Sequence, residues 1–183
     1  RISKLLFLDL YELIGIKDMG VELVKKLSRE SSIFKEKIKI KRKDNNPISL
    51  VTFSTTNPMI RLVNEKRGEL GEFFKERYHH YPDYNIEEIR NKCRDFYYHF
   101  FNDYFKILKD IFPEEWENHA QFILVSDRGI RVLLRLLRKI IKYNREIKEV
   151  NFDNSENMRN IISALKGFNF KSETLKGQYA GES

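Results

Sequence analysis

The chain is poor in the residue types that build metal and redox sites. It has a single cysteine, Cys93, in 183 residues. One thiol excludes a disulfide framework and any zinc site needing two or more thiolates, and it fits a reducing compartment. Histidines number 4. His79 and His80 are adjacent, and adjacent histidines seldom chelate one ion together. His99 lies six positions from Cys93 on a predicted helix, so the two point to different faces. His119 reads as a surface or packing residue. No metal or other cofactor is expected. Long apolar runs are missing as well. The richest stretch, Ile130 to Ile141, is broken by Arg131, Arg135, Arg138 and Lys139, far from the ~18 uninterrupted apolar residues of a membrane span. There is no secretory pattern, no internal repeat, no low-complexity run and no linker long enough to divide the chain.

Motifs of catalysis are equally scarce. Neither a G-x-S-x-G elbow nor a G-x-x-x-x-G-K-[ST] loop occurs. Glu87-Glu88 and Glu114-Glu115 are adjacent pairs that do not face each other, so neither spacing makes a general acid/base dyad. An enzyme complete within these residues is not expected.

What is present is an apolar core and an excess of positive charge. Leu, Ile, Val and Phe make up about a third of the residues, well above a disordered composition. Lys and Arg total 34 against 27 Asp and Glu, a formal charge of +7. The periodicity predicts a mainly α protein of six or seven helices in one domain over residues 3–167, with 168–183 as a frayed or truncated tail. A first helix is expected from Ser3 to about Ile14. A second starts after Asp18, with Val21, Leu23, Val24 and Leu27 on its inner side. Residues 36–43 alternate Lys with Ile, which predicts a short strand with Ile38 and Ile40 inward before a turn at Asp44–Pro47. Ser49 caps a short helix, and Asn57-Pro58 opens another that runs to about Lys66. A short helix is expected at Glu69–Arg77.

The dominant helix is predicted from Ile86 to about Phe112, capped by Asn85 and stopped by Pro113. Ile89, Cys93, Phe96, Phe100, Ile107 and Ile111 share one face. Tyr97, Phe101, Tyr104 and Leu108 widen it to about half the circumference, at ~100° per residue. So broad a band predicts a central helix with neighbours on two sides. Its aromatics read as core, because base-stacking aromatics are interleaved with exposed cations. A further helix starts at Ser126 or Asp127 and runs to about Tyr143. A last one runs from Asn154 or Ser155 to about Lys166 and is closed by Gly167. The segment FNFK (168–171) reads as a possible added strand.

The helix at 127–143 carries the clearest functional pattern. Ile130, Leu133, Leu134, Leu137 and Ile141 form its apolar stripe. Arg131, Arg135, Arg138 and Lys142 fall within ~60° of one another on the other side, bordered by Arg128 and Lys139. Such a row matches nucleic-acid phosphates; a solvated outer face is the simpler alternative. A second basic cluster spans 35–43. On a strand Lys37, Lys39 and Lys41 would line one face, for phosphate contact or for edge protection. Ser126-Asp127-Arg128-Gly129 reads either as an anion site at a helix start or as a cap with a close-packing glycine.

The segment order RISKLLFLDLYEL, VELVKKL, SSIFKEKIKI, ISLVTF, NDYFKILKDIFPEEW, FILVSDRGIRVLLRLLRKI resembles the region downstream of the name-giving motif in DGQHR-domain proteins. These are DndB-like proteins associated with DNA phosphorothioation and related DNA-modification clusters. The resemblance runs from about Ser3 to Lys166 and rests on Tyr104-Phe105, Phe112 to Trp116, and Gly129-Ile130 with the leucines that follow. It implies a helical C-terminal part of a longer cytoplasmic protein whose N-terminal, ParB-like portion holds the Asp-Gly-Gln-His-Arg motif. That motif is absent from these residues, so no site residue carries over. The expected function is non-enzymatic nucleic-acid binding in a DNA-modification or defence system. The alternative is a structural module that braces the N-terminal domain or forms a homo-oligomer.

Overall fold

A computed structural model describes residues 19–41, 43–64, 70, 86–147 and 155–171. The expected helix at Ser3–Ile14, the expected helix at Glu69–Arg77 except for Leu70 (helical and buried), the Asn85 cap, His79-His80 and the tail beyond Lys171 lie outside the described residues. The architecture is mainly helical, as the periodicity predicts. Its elements are α1 (Met19–Glu30), β1 (Ile38–Lys39), β2 (Ile48–Ser49), α2 (Leu50–Thr55), α3 (Asn57–Met59), α4 (Ile86–Ile111), α5 (Pro113–Glu117), α6 (Asp127–Ile147) and α7 (Ser155–Ser163). A π-helical turn, Ile60–Asn64, continues α3.

The long helix α4 is the centre. It packs against α1 on one side and α7 on another, and Tyr104 ties it to α6 through a 2.8 Å bond from its hydroxyl to the Leu133 carbonyl. The buried stripe is Cys93, Tyr97, Phe101, Tyr104, Phe105 and Leu108, with Ile107 at its edge. This corrects the expected face: Phe96, Phe100 and Ile111 are only half-buried. The i, i+4 row through Tyr97 and Phe101 faces the core, and the row through Phe96 and Phe100 lies at its margin. Phe105 meets Phe34 (4.9 Å between ring centroids), Phe53 (5.7 Å) and Trp116 (6.0 Å) in a buried aromatic cluster. Pro113 begins the new turn that folds Trp116 back, and the indole N–H donates to the Ile33 carbonyl at 3.3 Å.

Burial of α1 follows its periodicity at Leu23, Val24 and Leu27, while Val21 is half-buried. Ion pairs hold its outer edge to α4: Glu22 with Arg90, and Lys26 with Asp95 at 2.6 Å. Ser31, just past the C-terminus of α1, donates its hydroxyl to Asn102 Oδ1 at 2.6 Å and accepts from the Ile33 N–H.

The lysine–isoleucine stretch forms far less strand than its alternation predicts. Only Ile38–Lys39 pairs, in parallel with Ile48–Ser49. The cause is Asp44, whose carboxylate accepts from the Ile40 and Lys41 N–H groups at 3.1 and 2.7 Å and turns the chain. Ile38 is buried as expected, but Ile40 is 49% exposed. Ser49 caps α2, its side chain accepting from the Thr52 N–H. The next helix is capped by Thr56 rather than Asn57, and Asn57 Oδ1 instead accepts from Arg61 Nε at 2.9 Å. At the far end Gly167 takes a left-handed φ of 96°. The chain then runs back so that Lys171 bridges Phe122 in antiparallel sense, with the Ile123 N–H donating to the Phe170 carbonyl at 3.0 Å.

Candidate nucleic-acid interface

Helix α6 starts from a tightly built turn. Ser126 is its cap: its Oγ accepts from the Gly129 N–H at 3.1 Å and donates to the Ile123 carbonyl at 2.6 Å. Gly129 presses on the preceding loop, and a Cβ there would lie 2.1 Å from the Ile123 oxygen and 2.3 Å from the Leu124 oxygen. Between the two expected readings of Ser126–Gly129, the geometry selects the cap with a close-packing glycine. The Gly129 N–H is already bonded to Ser126 Oγ, and two carbonyl oxygens crowd the glycine's Cα.

Asp127 does something the spacing does not announce. Its carboxylate accepts from the Ser49 N–H at 2.7 Å and from the Thr52 hydroxyl at 3.1 Å, bridging 78 and 75 residues of sequence. The negative group thus stabilises the first turn of α2. The same bond brings the start of α6 to β2, and β1 pairs alongside.

The apolar stripe of α6 is buried at Ile130, Leu133, Leu134, Leu137 and Ile141, with Ile140 added. Opposite it, Arg128, Arg131 and Arg135 are exposed. None of the three has a carboxylate partner among the described residues. They occupy one face at i, i+3 and i+7, where successive side chains are neighbours. Arg138 and Lys142, expected to continue this row, differ: Arg138 is half-buried, and both are already engaged in contacts within the chain. The cations without partners among the described residues are therefore Arg128, Arg131 and Arg135, with exposed Lys139 four residues further on.

The lysines of the second cluster are dispersed. Lys37 pairs with Glu117 on α5 at 2.7 Å, and Lys109 on α4 pairs with the same carboxylate at 2.7 Å. Their hydrogen bonds, Lys109 foremost, lower the Glu117 pKa. Lys37 thus belongs to an internal ion pair. Lys39 is half-buried beside Ser49. Lys41 is exposed in the turn that Asp44 closes. The three lysines do not form the single strand face predicted for them, because the strand ends after Lys39.

Two cavities flank the free arginines. A polar cleft of about 340 Å³ lies between α6 and the α2–α3 junction, with Arg131 and Arg135 on one wall and Thr52, Thr55, Thr56 and Asn57 on the other. The Thr52 and Thr55 hydroxyls donate to Asp127 and to the Val51 carbonyl. The Thr56 Oγ1 is buried without a hydrogen-bond partner among the described residues. On the other side of Arg135 is an apolar cavity of about 430 Å³, walled by Leu124, Val132, Leu133, Phe168 and Phe170, with Arg128 and Arg135 at its edge. Val132 and Phe168 are 51% and 54% exposed. Sequence reasoning missed Asp127, Thr56 and Phe168. Only the alternation in FNFK hinted at the last.

Cys93 is buried, and Tyr104, wholly enclosed, has its phenol pKa pushed far up by desolvation. Among the described residues no three His, Cys, Asp or Glu side chains converge as a metal site, and no helix is long and apolar enough to cross a membrane. No family model, curated protein or solved structure matches this chain.

Proposed function

We infer that this chain is a non-enzymatic nucleic-acid-binding module that holds backbone phosphates on the first half of α6. The observation that carries this reading is the trio Arg128, Arg131 and Arg135. They are exposed on one helix face and lack carboxylate partners among the described residues, in a chain of net charge +7. Solvated cationic faces are usually laced with acidic neighbours. Here the nearest acid along the helix, Asp127, is committed to Ser49 and Thr52. Guanidinium groups at helical spacing suit phosphate oxygens by charge and by their fork of donors. Lys39 and Lys41 lie outside this trio, Lys37 is paired with Glu117, and Arg138 and Lys142 are already engaged within the chain. The resemblance to DGQHR-domain proteins adds a setting, a cytoplasmic DNA-modification or defence system, with DNA as the partner. The test is duplex binding by fluorescence anisotropy with Arg131→Glu plus Arg135→Glu. The double variant binds markedly more weakly while its circular dichroism is unchanged; unaltered affinity refutes the assignment.

The apolar cavity beside Phe168 supports a second reading, a helical module that braces a neighbouring domain or forms a homo-oligomer. That reading expects a concentration-dependent mass and no salt-sensitive DNA binding.

A further inference from the structure

The geometry points to a subsite for one unpaired nucleotide of a single strand, its phosphate in the polar cleft and its base in the apolar cavity, joined across Arg135. This inference rests on the nucleic-acid reading and narrows it. Arg135 lines both cavities, and Arg131 completes the cleft while Arg128 completes the apolar mouth. A nucleotide carries the same two chemistries side by side, an anionic phosphate and a flat, largely apolar ring. The cleft offers the phosphate two guanidinium groups without carboxylate partners among the described residues.

The larger cavity, at about 430 Å³, falls within the range of small-molecule sites. Its exposed wall is an aromatic ring. Phe168 is held by Phe170, 4.8 Å between centroids, which in turn packs on Phe112 at 5.1 Å. The ring therefore stands on a buried support while more than half of it faces solvent. Single-strand binders interleave stacking aromatics with cations along a groove. The aromatic run of α4 fails that criterion because Tyr97, Phe101, Tyr104 and Phe105 are buried in the core. Phe168, beside Arg128 and Arg135, meets it through residues some 30–40 positions apart. In a duplex every base is stacked, so only an unpaired base can enter.

The experiment compares fluorescein-labelled oligothymidylate, an abasic strand of the same length and a duplex, at one low salt concentration, for the wild-type chain and for Phe168→Ala and Phe168→Trp. Phe168→Ala is expected to weaken oligothymidylate binding about tenfold. It should leave the duplex and the abasic strand unchanged, and Phe168→Trp should restore the loss. Matching circular dichroism spectra show that the exposed ring was removed without disturbing the core. Oligothymidylate binding that ignores Phe168, with duplex binding intact, overturns the base subsite and leaves the nucleic-acid reading standing. Failure of all three ligands to bind overturns both. Displacement of the strand by an equal nucleotide concentration of thymidine monophosphate overturns the strand as the occupant.

Discussion

Gly129→Ala tests how the arginine-bearing helix is seated. Intrinsic propensity favours alanine inside a helix by roughly 0.5–1 kcal/mol, so a purely local view predicts a stabilised protein. The structure predicts the opposite. The added methyl would lie 2.1 Å from the Ile123 oxygen, 2.3 Å from the Leu124 oxygen and 2.7 Å from the Leu124 carbonyl carbon. Reaching even a 3.0 Å contact requires the first turn of α6 to back away by 0.9 Å, the difference from 2.1 Å. All three atoms are backbone, and the Ile123 oxygen is also held by Ser126, so no side chain can rotate aside. Overpacking of this kind costs about 1–3 kcal/mol. Three backbone contacts place it near the upper end, and the propensity gain leaves a net loss of about 2 kcal/mol. In a chain of this size that is a fall of roughly 4–8 °C in Tm. Urea denaturation followed by circular dichroism measures it, with the m-value unchanged if only the native state is strained. A Gly129→Ala protein as stable as wild type, or more so, refutes the seating of α6 on the 123–124 loop. The placement of Arg128 beside the apolar cavity and of Arg131 beside the cleft would fall with it.

Two further perturbations probe the links around α6. Asp127→Ala removes a charged acceptor from the Ser49 N–H and the Thr52 hydroxyl and is expected to cost about 2 kcal/mol by urea denaturation; a loss under ~0.5 kcal/mol contradicts the bridge. Tyr104→Phe keeps the ring and loses the bond to the Leu133 carbonyl, a cost of about 1 kcal/mol near neutral pH. Burial raises the Tyr104 pKa above its ordinary 10.0, so the folded chain keeps a proton that the unfolded chain releases. Its contribution is complete below about pH 10 and declines above it, by up to ~1.4 kcal/mol per pH unit. Denaturation of wild type and Tyr104→Phe side by side at increasing pH should therefore show the wild-type advantage shrinking and reversing above about pH 10; a constant difference counts against the buried phenol.

Helices were legible in this sequence where one face alone decided them. The α6 stripe needed only the 3.6-residue period, since Ile130, Leu133, Leu134, Leu137 and Ile141 face one core and Arg128, Arg131 and Arg135 face water. The C-terminal end of α4 was legible in Pro113, which cannot continue a helix. Long-range partners were not legible. The wheel placed Arg138 and Lys142 beside Arg131 and Arg135, but an angle on a wheel does not say which cations the rest of the chain has already engaged. The lysine–isoleucine alternation was a true period of two, cut short by the carboxylate of Asp44. Asp127 read as a routine helix start, whereas its partners lie 75 and 78 residues away. The candidate cavities were hidden for the same reason: their walls come from the α2–α3 junction, α6 and the returning segment at Phe168–Phe170.

The central claim is that Arg128, Arg131 and Arg135 contact phosphates. It is tested most directly by duplex affinity across a salt series. Three phosphate contacts predict a slope of log K against log salt of about −2.7, at ~0.9 per contact, which is a roughly fortyfold loss between about 50 and about 200 mM salt. Replacing Arg131 and Arg135 with alanine leaves one contact, a slope of about −0.9 and a loss of only about fourfold over the same range. Those two slopes are the result this account predicts. Absence of binding at about 50 mM salt, or a steep slope that the double replacement does not change, would contradict it.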